Sequence, residues 1–342
     1  MKRFILTFLI LIAANFYSLL MAHPSWGIVV DSEENIYFAD IFHNGRGSIW
    51  KLRIDGKLEL LLGDFHSHNV SLDSRGALVT AHGEGHHTLV RIIENRVTDT
   101  LYTTQNFEDF NGGNCTYTMN GDIIFGISNY LWRISPDGKK SKLSNFKFEW
   151  NQTVFSDRSG NVYAPDIGRD NGAVIKIDKN GEGSVIATNL ISKLGRKYDK
   201  HNDVLLGIGK DDEGWLYIAE TAGKRIIKFN EEGVSETFYV SDGDWFPNGI
   251  TIYNGAAYIL EVKMDNGYEG PQIIKLSDNG GKEVLFNYDS YIKNVSSMPD
   301  NEKNEDKGLI PTVLIISLLL LVVISFFIFR KLGRSQRRIA DQ

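Results

Sequence analysis

The sequence predicts an all-β protein, a six-bladed β-propeller, on three observations. First, a strand with a basic residue between apolar neighbours recurs six times: "IWKLRIDG", "LVRIIENR", "LWRISPDG", "VIKIDKNG", "IIKFNEEG" and "IIKLSDNG". The basic residues Lys51, Arg91, Arg133, Lys176, Lys228 and Lys275 lie 40 to 52 residues apart, a period that marks repeat architectures. Second, each copy is preceded by a short apolar strand, an Asp/Asn/Gly turn and a further β-rich strand, as in "VVDSEENIYFAD", "FSDRSGNVYAPD" and "GKDDEGWLYIAE". Third, a fourth strand such as "KLELLLG" or "KEVLFNY" follows the turn after the basic strand. Four strands per unit, joined by turn residues, make a propeller blade.

In chain order, the first strand of each unit lines the central channel and the fourth forms the rim. Both ends are complete at four strands, so the ring is expected to close by packing of blade one on blade six, without strand exchange. The Lys/Arg column is expected to face away from the packed side of each blade, as alternation along a strand requires.

Outside the propeller, assigned to residues 23–290, the chain carries other signals. Lys2 and Arg3 precede "FILTFLILIAA", so residues 1–22 read as a signal peptide or signal anchor. Residues 291–308 are polar and charged, a stalk. Residues 309–329, "LIPTVLIISLLLLVVISFFIF", carry no charge; at ~1.5 Å rise per residue they match the ~30 Å hydrocarbon core. Residues 330–342 begin with Arg330 and Lys331 and remain basic, placing the tail in the cytoplasm. A single-pass membrane protein with its propeller outside the cytoplasm is expected. One cysteine, Cys115, excludes an internal disulfide, and a net charge of −6 argues against a nucleic-acid partner.

Propeller connectivity divides the loops into two faces. Turns between strands one and two, and three and four, are tight and share the bottom. Connections between strands two and three, and between blades, are long and share the top, where binding residues are expected. Residues near the start of the channel strands form a polar ring containing His68, Asn69, Asn114, Asn151 and Asn248, with Asp203 just before its strand. A second column closes strand two: Asp40, His82, Asp166, Glu220 and Glu261, whose acids are candidate binding-face residues. Five of eight histidines fall in "HSHNVSLDSRGALVTAHGEGHH", residues 66–87. Because this is one strand pair, its two ends should meet on top, and His66, His68, His82, His86 and His87 form a candidate Zn or Cu site. Asn69, Asn114, Asn151 and Asn294 open N-x-S/T sequons; the first three lie on channel strands where a glycan would not fit. Cys115 reads as a buried strand residue rather than a nucleophile.

The repeated phrase, followed by the "I-x-K" strand, resembles NHL-repeat propellers and the gluconolactonase and senescence-marker-protein family. "FPNGITIYNGAAYILEV", residues 246–262, is similar to a Pro-Asn-Gly motif shared by that family, strictosidine-synthase-like proteins and paraoxonases. The resemblance covers about residues 25–288. It implies a divalent cation, usually Ca²⁺, held at the channel mouth by a Glu, one or two Asn and an Asp, polarising a lactone or ester carbonyl. Asn248 matches the motif's ligand and Asn151 resembles the second, with Asn114 in the same ring. Blade one carries "AHPSW" where the family supplies its Glu, and Leu206 stands before Gly207 where the Asp is expected, leaving Asp203 as the nearest acid.

Two function classes follow. One is a metal-assisted lactone or ester hydrolase using Asn151, Asn248 and Asp203, with His68 or His82 as general base. The other is a non-catalytic module whose top face binds a small molecule, glycan, peptide or protein partner.

Overall fold

The computed structural model describes residues 24–193, 204–263 and 270–291. The signal segment, the stalk, the apolar stretch 309–329, the basic tail and Asp203 lie outside the described residues. Among the described residues no helix is long and apolar enough to cross a membrane.

Six four-stranded antiparallel sheets follow one another along the chain, each with its strands in sequence order. The repeat therefore becomes one blade per unit. The first strands are Ile28–Val30, Val70–Leu72, Cys115–Tyr117, Phe155–Ser156, Leu205–Lys210 and Trp245–Tyr253, two or three residues long in the first four blades and longer in the last two. Several of their turns into strand two use one device. In blade two, Asp73 Oδ1 accepts the N–H groups of Arg75 and Ala77 at 2.9 and 3.0 Å, and Gly76 takes a φ of 77°. Asp157 and Gly160 repeat it in blade four. The Asp side chain stands in for a backbone acceptor, and glycine takes the left-handed conformation at no steric cost.

The basic column is structural. Each member pairs in register with strand two of its own blade, as in Tyr37↔Lys51, Tyr163↔Lys176 and Tyr258↔Lys275. Lys51 Nζ lies 5.3 Å from the Tyr37 ring centroid and Lys228 Nζ 4.5 Å from that of Trp215, cation–π contacts on the flank of the blade. Arg91 instead donates through Nε to the turn carboxylate of Asp73 at 2.9 Å.

The core is divided among the interfaces between blades. One cluster joins Ala39 and Ile49 of blade one to Val70 and Val90 of blade two, and others repeat this around the ring. The last joins Ile28, Phe38 and Trp50 of blade one to Tyr258, Leu260 and Phe286 of blade six. As first and last sheets each contain only consecutive strands, this packing closes the ring without strand exchange.

Close approach of the channel strands depends on glycine. A Cβ on Gly249 would lie 2.2 Å from the carbonyl oxygen of Trp26, and one on Gly207 would lie 2.6 Å from the Cα of Gly249. Blades one, six and five thus press backbone to backbone near the top of the channel. Trp26, 3% exposed, fills the same level. Its ring stacks on His68 of blade two, centroids 5.1 Å apart, and it packs in the cluster that holds Leu205 and Leu206 of blade five. Below it, an axial cavity of about 490 Å³ is lined by channel strands of all six blades.

Candidate functional site

The acidic column does not present charge to a ligand. Asp40, Asp166, Glu220 and Glu261 are all buried. Asp166 accepts the N–H groups of Glu149 and Trp150 at 3.0 and 2.9 Å and Arg169 Nε at 3.0 Å. Glu220 accepts Ser192 N, Gly223 N and Arg225 Nε, at 3.0, 2.8 and 2.7 Å. Asp40 accepts Phe42 N at 3.0 Å. Glu261 accepts Ser241 Oγ and Gln272 Nε2, and burial pushes its carboxyl above the usual range. As arranged, the carboxylates at the end of strand two act as clamps, accepting loop amides at Asp40, Asp166 and Glu220 and side-chain donors at Glu261.

The polar ring is present. Asn69 Nδ2 donates to Cys115 O at 3.0 Å, crossing from blade two to blade three. Asn114 Nδ2 donates to Asn151 Oδ1 at 2.8 Å, crossing from blade three to blade four. Asn151 Nδ2 donates in turn to the carbonyls of Thr153 and Pro165 at 2.7 and 2.9 Å. Asn248 is fully buried, and the amide orientation that satisfies its surroundings puts Nδ2 3.2 Å from Phe246 O and 3.3 Å from Pro247 O. The ring therefore ties neighbouring blades together. With Asn151's oxygen spent on Asn114, an apolar Leu206 in blade five and Trp26 across the channel, these residues do not fit a calcium ion as arranged. Cys115 is buried, and burial pushes its thiol up to about 12, so it stays protonated.

A pocket of about 360 Å³ opens on the top face between blades three and four. Its wall contains Asn111, Asn114, Asn129 and Asn151, with Phe107, Tyr130 and Trp150 as apolar surface and His68 at one edge. Trp150 is 42% exposed although its backbone N–H is held by Asp166. Asn129 donates to the carbonyls of Phe148 and Glu149 at 2.8 and 3.2 Å, which fixes its amide and leaves its oxygen without a protein acceptor role. Asn114 Oδ1 is buried and accepts no hydrogen bond. Sequence reading found Asn114 and Asn151 through the ring, but missed Trp150, whose only signal was its place beside Asn151 on a top connection.

The histidine stretch folds back as its topology requires. Gly83 N donates to His66 O at 2.9 Å, so the two ends of residues 66–87 lie side by side. The Nε2 atoms of His66 and His68 are 3.2 Å apart. His82 stacks on His86 with centroids 4.2 Å apart. His87 stands elsewhere: it is buried, its ring lies edge-on to Phe107 and Phe110, and its Nδ1 accepts Gly112 N at 3.2 Å. Among the described residues no three His, Cys, Asp or Glu side chains converge on one metal position as they stand.

Burial holds the His66 and His82 imidazoles below their ordinary value of 6.5, with Glu84 opposing it at both. The folded chain then takes up these protons later than the unfolded one. Their contribution to stability is complete above about pH 6.5 and is lost as the pH falls through the depressed values. The melting temperature is expected to drop between about pH 7.5 and pH 5.5, and a His66→Gln, His82→Gln variant should show a shallower drop. Equal slopes for the two proteins would place the acid sensitivity elsewhere.

No family model matches the chain, and no curated protein matches it in sequence. Solved structures do match its fold. Virginiamycin B lyase from Staphylococcus aureus aligns at 18% identity over 76% of this chain and 83% of its own, with a TM-score of 0.51. A streptogramin B lyase aligns at 13% identity over 78% and 83%, TM-score 0.52. A luciferin-regenerating enzyme aligns at 15% over 71% and 85%, TM-score 0.51. At these identities the likeness establishes the fold alone.

Proposed function

We propose that this protein is a binding propeller, tethered to a membrane by residues 309–329 with the propeller outside the cytoplasm, whose top-face pocket takes a neutral polyhydroxylated ligand such as a glycan. The observation that carries the reading is Trp150, a large aromatic side chain left exposed in a pocket while its backbone is clamped in place by Asp166. An exposed, rigidly mounted indole offers a flat apolar platform at low entropic cost. Around it stand side-chain amides rather than charges. The oxygen of Asn114 is a buried acceptor without a donor, and the exposed amide of Asn129 lines the same pocket; hydroxyl groups can donate to both. An unmet buried acceptor costs about 1–3 kcal/mol, a cost that a donating ligand relieves.

The test is an oligosaccharide array probed with the full-length protein, followed by calorimetric titration of any ligand retained. Trp150→Ala is expected to weaken binding at least tenfold, about 1.4 kcal/mol, and to abolish ligand-dependent quenching of tryptophan fluorescence. An array without hits, or binding indifferent to Trp150→Ala, overturns the reading.

A second reading, hydrolysis of a lactone or ester, is favoured by one observation: His68 borders the same pocket. The chemistry that the structural neighbours' names report, lyase action on streptogramin B antibiotics, shows that enzymes use this fold. Ester turnover lost in His68→Gln and kept in Trp150→Ala would favour this reading.

A further inference from the structure

His66 and His68 alternate along an extended connection into blade two, yet their rings converge. The centroids are 5.0 Å apart at an interplanar angle of 68°, and the Nε2 atoms face each other at 3.2 Å. Two nitrogens sharing a tetrahedral zinc at 2.0–2.1 Å are about 3.3 Å apart, so the observed separation is that of a chelating pair.

The surroundings favour the ligating form. His66 Nδ1 lies 3.0 Å from Glu84 Oε2, so it donates its N–H there, and the neutral ring turns the Nε2 lone pair toward His68. A carboxylate on the far nitrogen of a ligating histidine fixes the tautomer, orients the ring and raises its basicity. Glu84 comes from the loop after strand two, so the contact ties this loop to the connection that carries His66. His82, the last residue of strand two, supplies a third imidazole. Its ring centroid is 6.5 Å from that of His66, and in the tautomer that donates Nδ1–H to His86 O at 3.2 Å its Nε2 carries the lone pair.

We propose that His66 and His68 chelate a divalent transition-metal ion through their Nε2 atoms, with Glu84 orienting His66 and His82 approaching as third ligand, on the top face beside the pocket. Imidazole donors suit Zn²⁺ and Cu²⁺ rather than Ca²⁺. The site differs from the oxygen-ligand position that the family resemblance implies and does not depend on the ligand reading of the pocket. Its remaining coordination position is open to water or to a donor atom of a ligand. His86 stacks on His82 from the exposed side, and His87 takes no part.

The test uses the full-length chain, stripped with chelator and titrated with Zn²⁺ by calorimetry, with bound metal counted by elemental analysis. One equivalent per chain is expected at micromolar affinity or better. Cobalt substitution should give an intense visible absorption typical of a tetrahedral nitrogen-ligated ion. His66→Gln should lose the stoichiometric binding. Glu84→Gln, on a side chain that is 71% exposed and so harmless to folding, should weaken it about 10- to 100-fold. His87→Gln should bind as the parent protein does. No binding by the parent protein at 100-fold molar excess of zinc, or binding unchanged in both His66→Gln and Glu84→Gln, overturns the proposal and leaves the 3.2 Å contact as an N–H···N hydrogen bond.

Discussion

Replacing Trp26 by alanine is expected to lower stability by about 3–5 kcal/mol, the range for a buried aromatic residue truncated in a core. The ring is almost wholly buried, stacked on His68 and packed in the cluster with Leu205 and Leu206, so it joins blades one, two and five at once. Its loss leaves a void that cannot collapse, because the surrounding strands are already in backbone contact through Gly207 and Gly249. Each kcal/mol should appear as about 2–4 °C in the melting temperature of a chain this large. Amide hydrogen exchange at Gly207 and Gly249 should accelerate as the axial cavity gains a second opening. Trp26→Phe, which keeps an aromatic ring, should recover more than half of the loss. A Trp26→Ala protein within about 1 kcal/mol of the parent would mean that the side chain plugs nothing that matters.

Asp166→Ala is the second large effect, expected at about 2–4 kcal/mol, because removing this buried carboxylate strands two part-buried amides and the Arg169 guanidinium. The N–H groups of Glu149 and Trp150 lose their acceptor, and Arg169, seated 5.1 Å from the Phe146 ring centroid, loses its counter-charge. The consequence reaches the pocket, because the released segment carries Trp150. Unfolding by denaturant and calorimetric titration of ligand should therefore fall together in Asp166→Ala. Glu149→Ala, which removes only an exposed side chain next to the same clamp, should leave stability within about 0.5 kcal/mol. Equal losses in the two variants would refute the clamp.

These two residues show where sequence reading stops. Blade number, strand order and the latchless ring were legible because they depend on short-range chemistry that recurs from blade to blade: an Asp/Asn/Gly turn after the first strand and a basic residue between apolar neighbours in the third. The convergence of residues 66–87 was legible for the same reason, since one strand pair must return to its starting face. What a strand-end acid does was not. Asp166 and Glu220 occupy equivalent places in the repeat, and only the path of the neighbouring loop shows that their oxygens are consumed by amides. Nor does the polar ring announce its pairing; Asn114 and Asn151 meet across a blade boundary, 37 residues apart. In the sequence Trp26 stands out only as part of "AHPSW", a place without the expected acid. Its role follows from long-range packing that no local pattern encodes.

A ring that closes by packing, without strand exchange, also sets a timetable. The flank of blade one carrying Ile28, Phe38 and Trp50 has its partner in Tyr258, Leu260 and Phe286, roughly 200 residues later. At the ~5–20 residues per second of protein synthesis, that apolar surface waits roughly 10–40 s for its cover, while the other blades find theirs in the next repeat. The newborn protein is thus an open arc with two sticky edges. Whatever holds those edges apart from other chains during that interval decides how much of it is ever made.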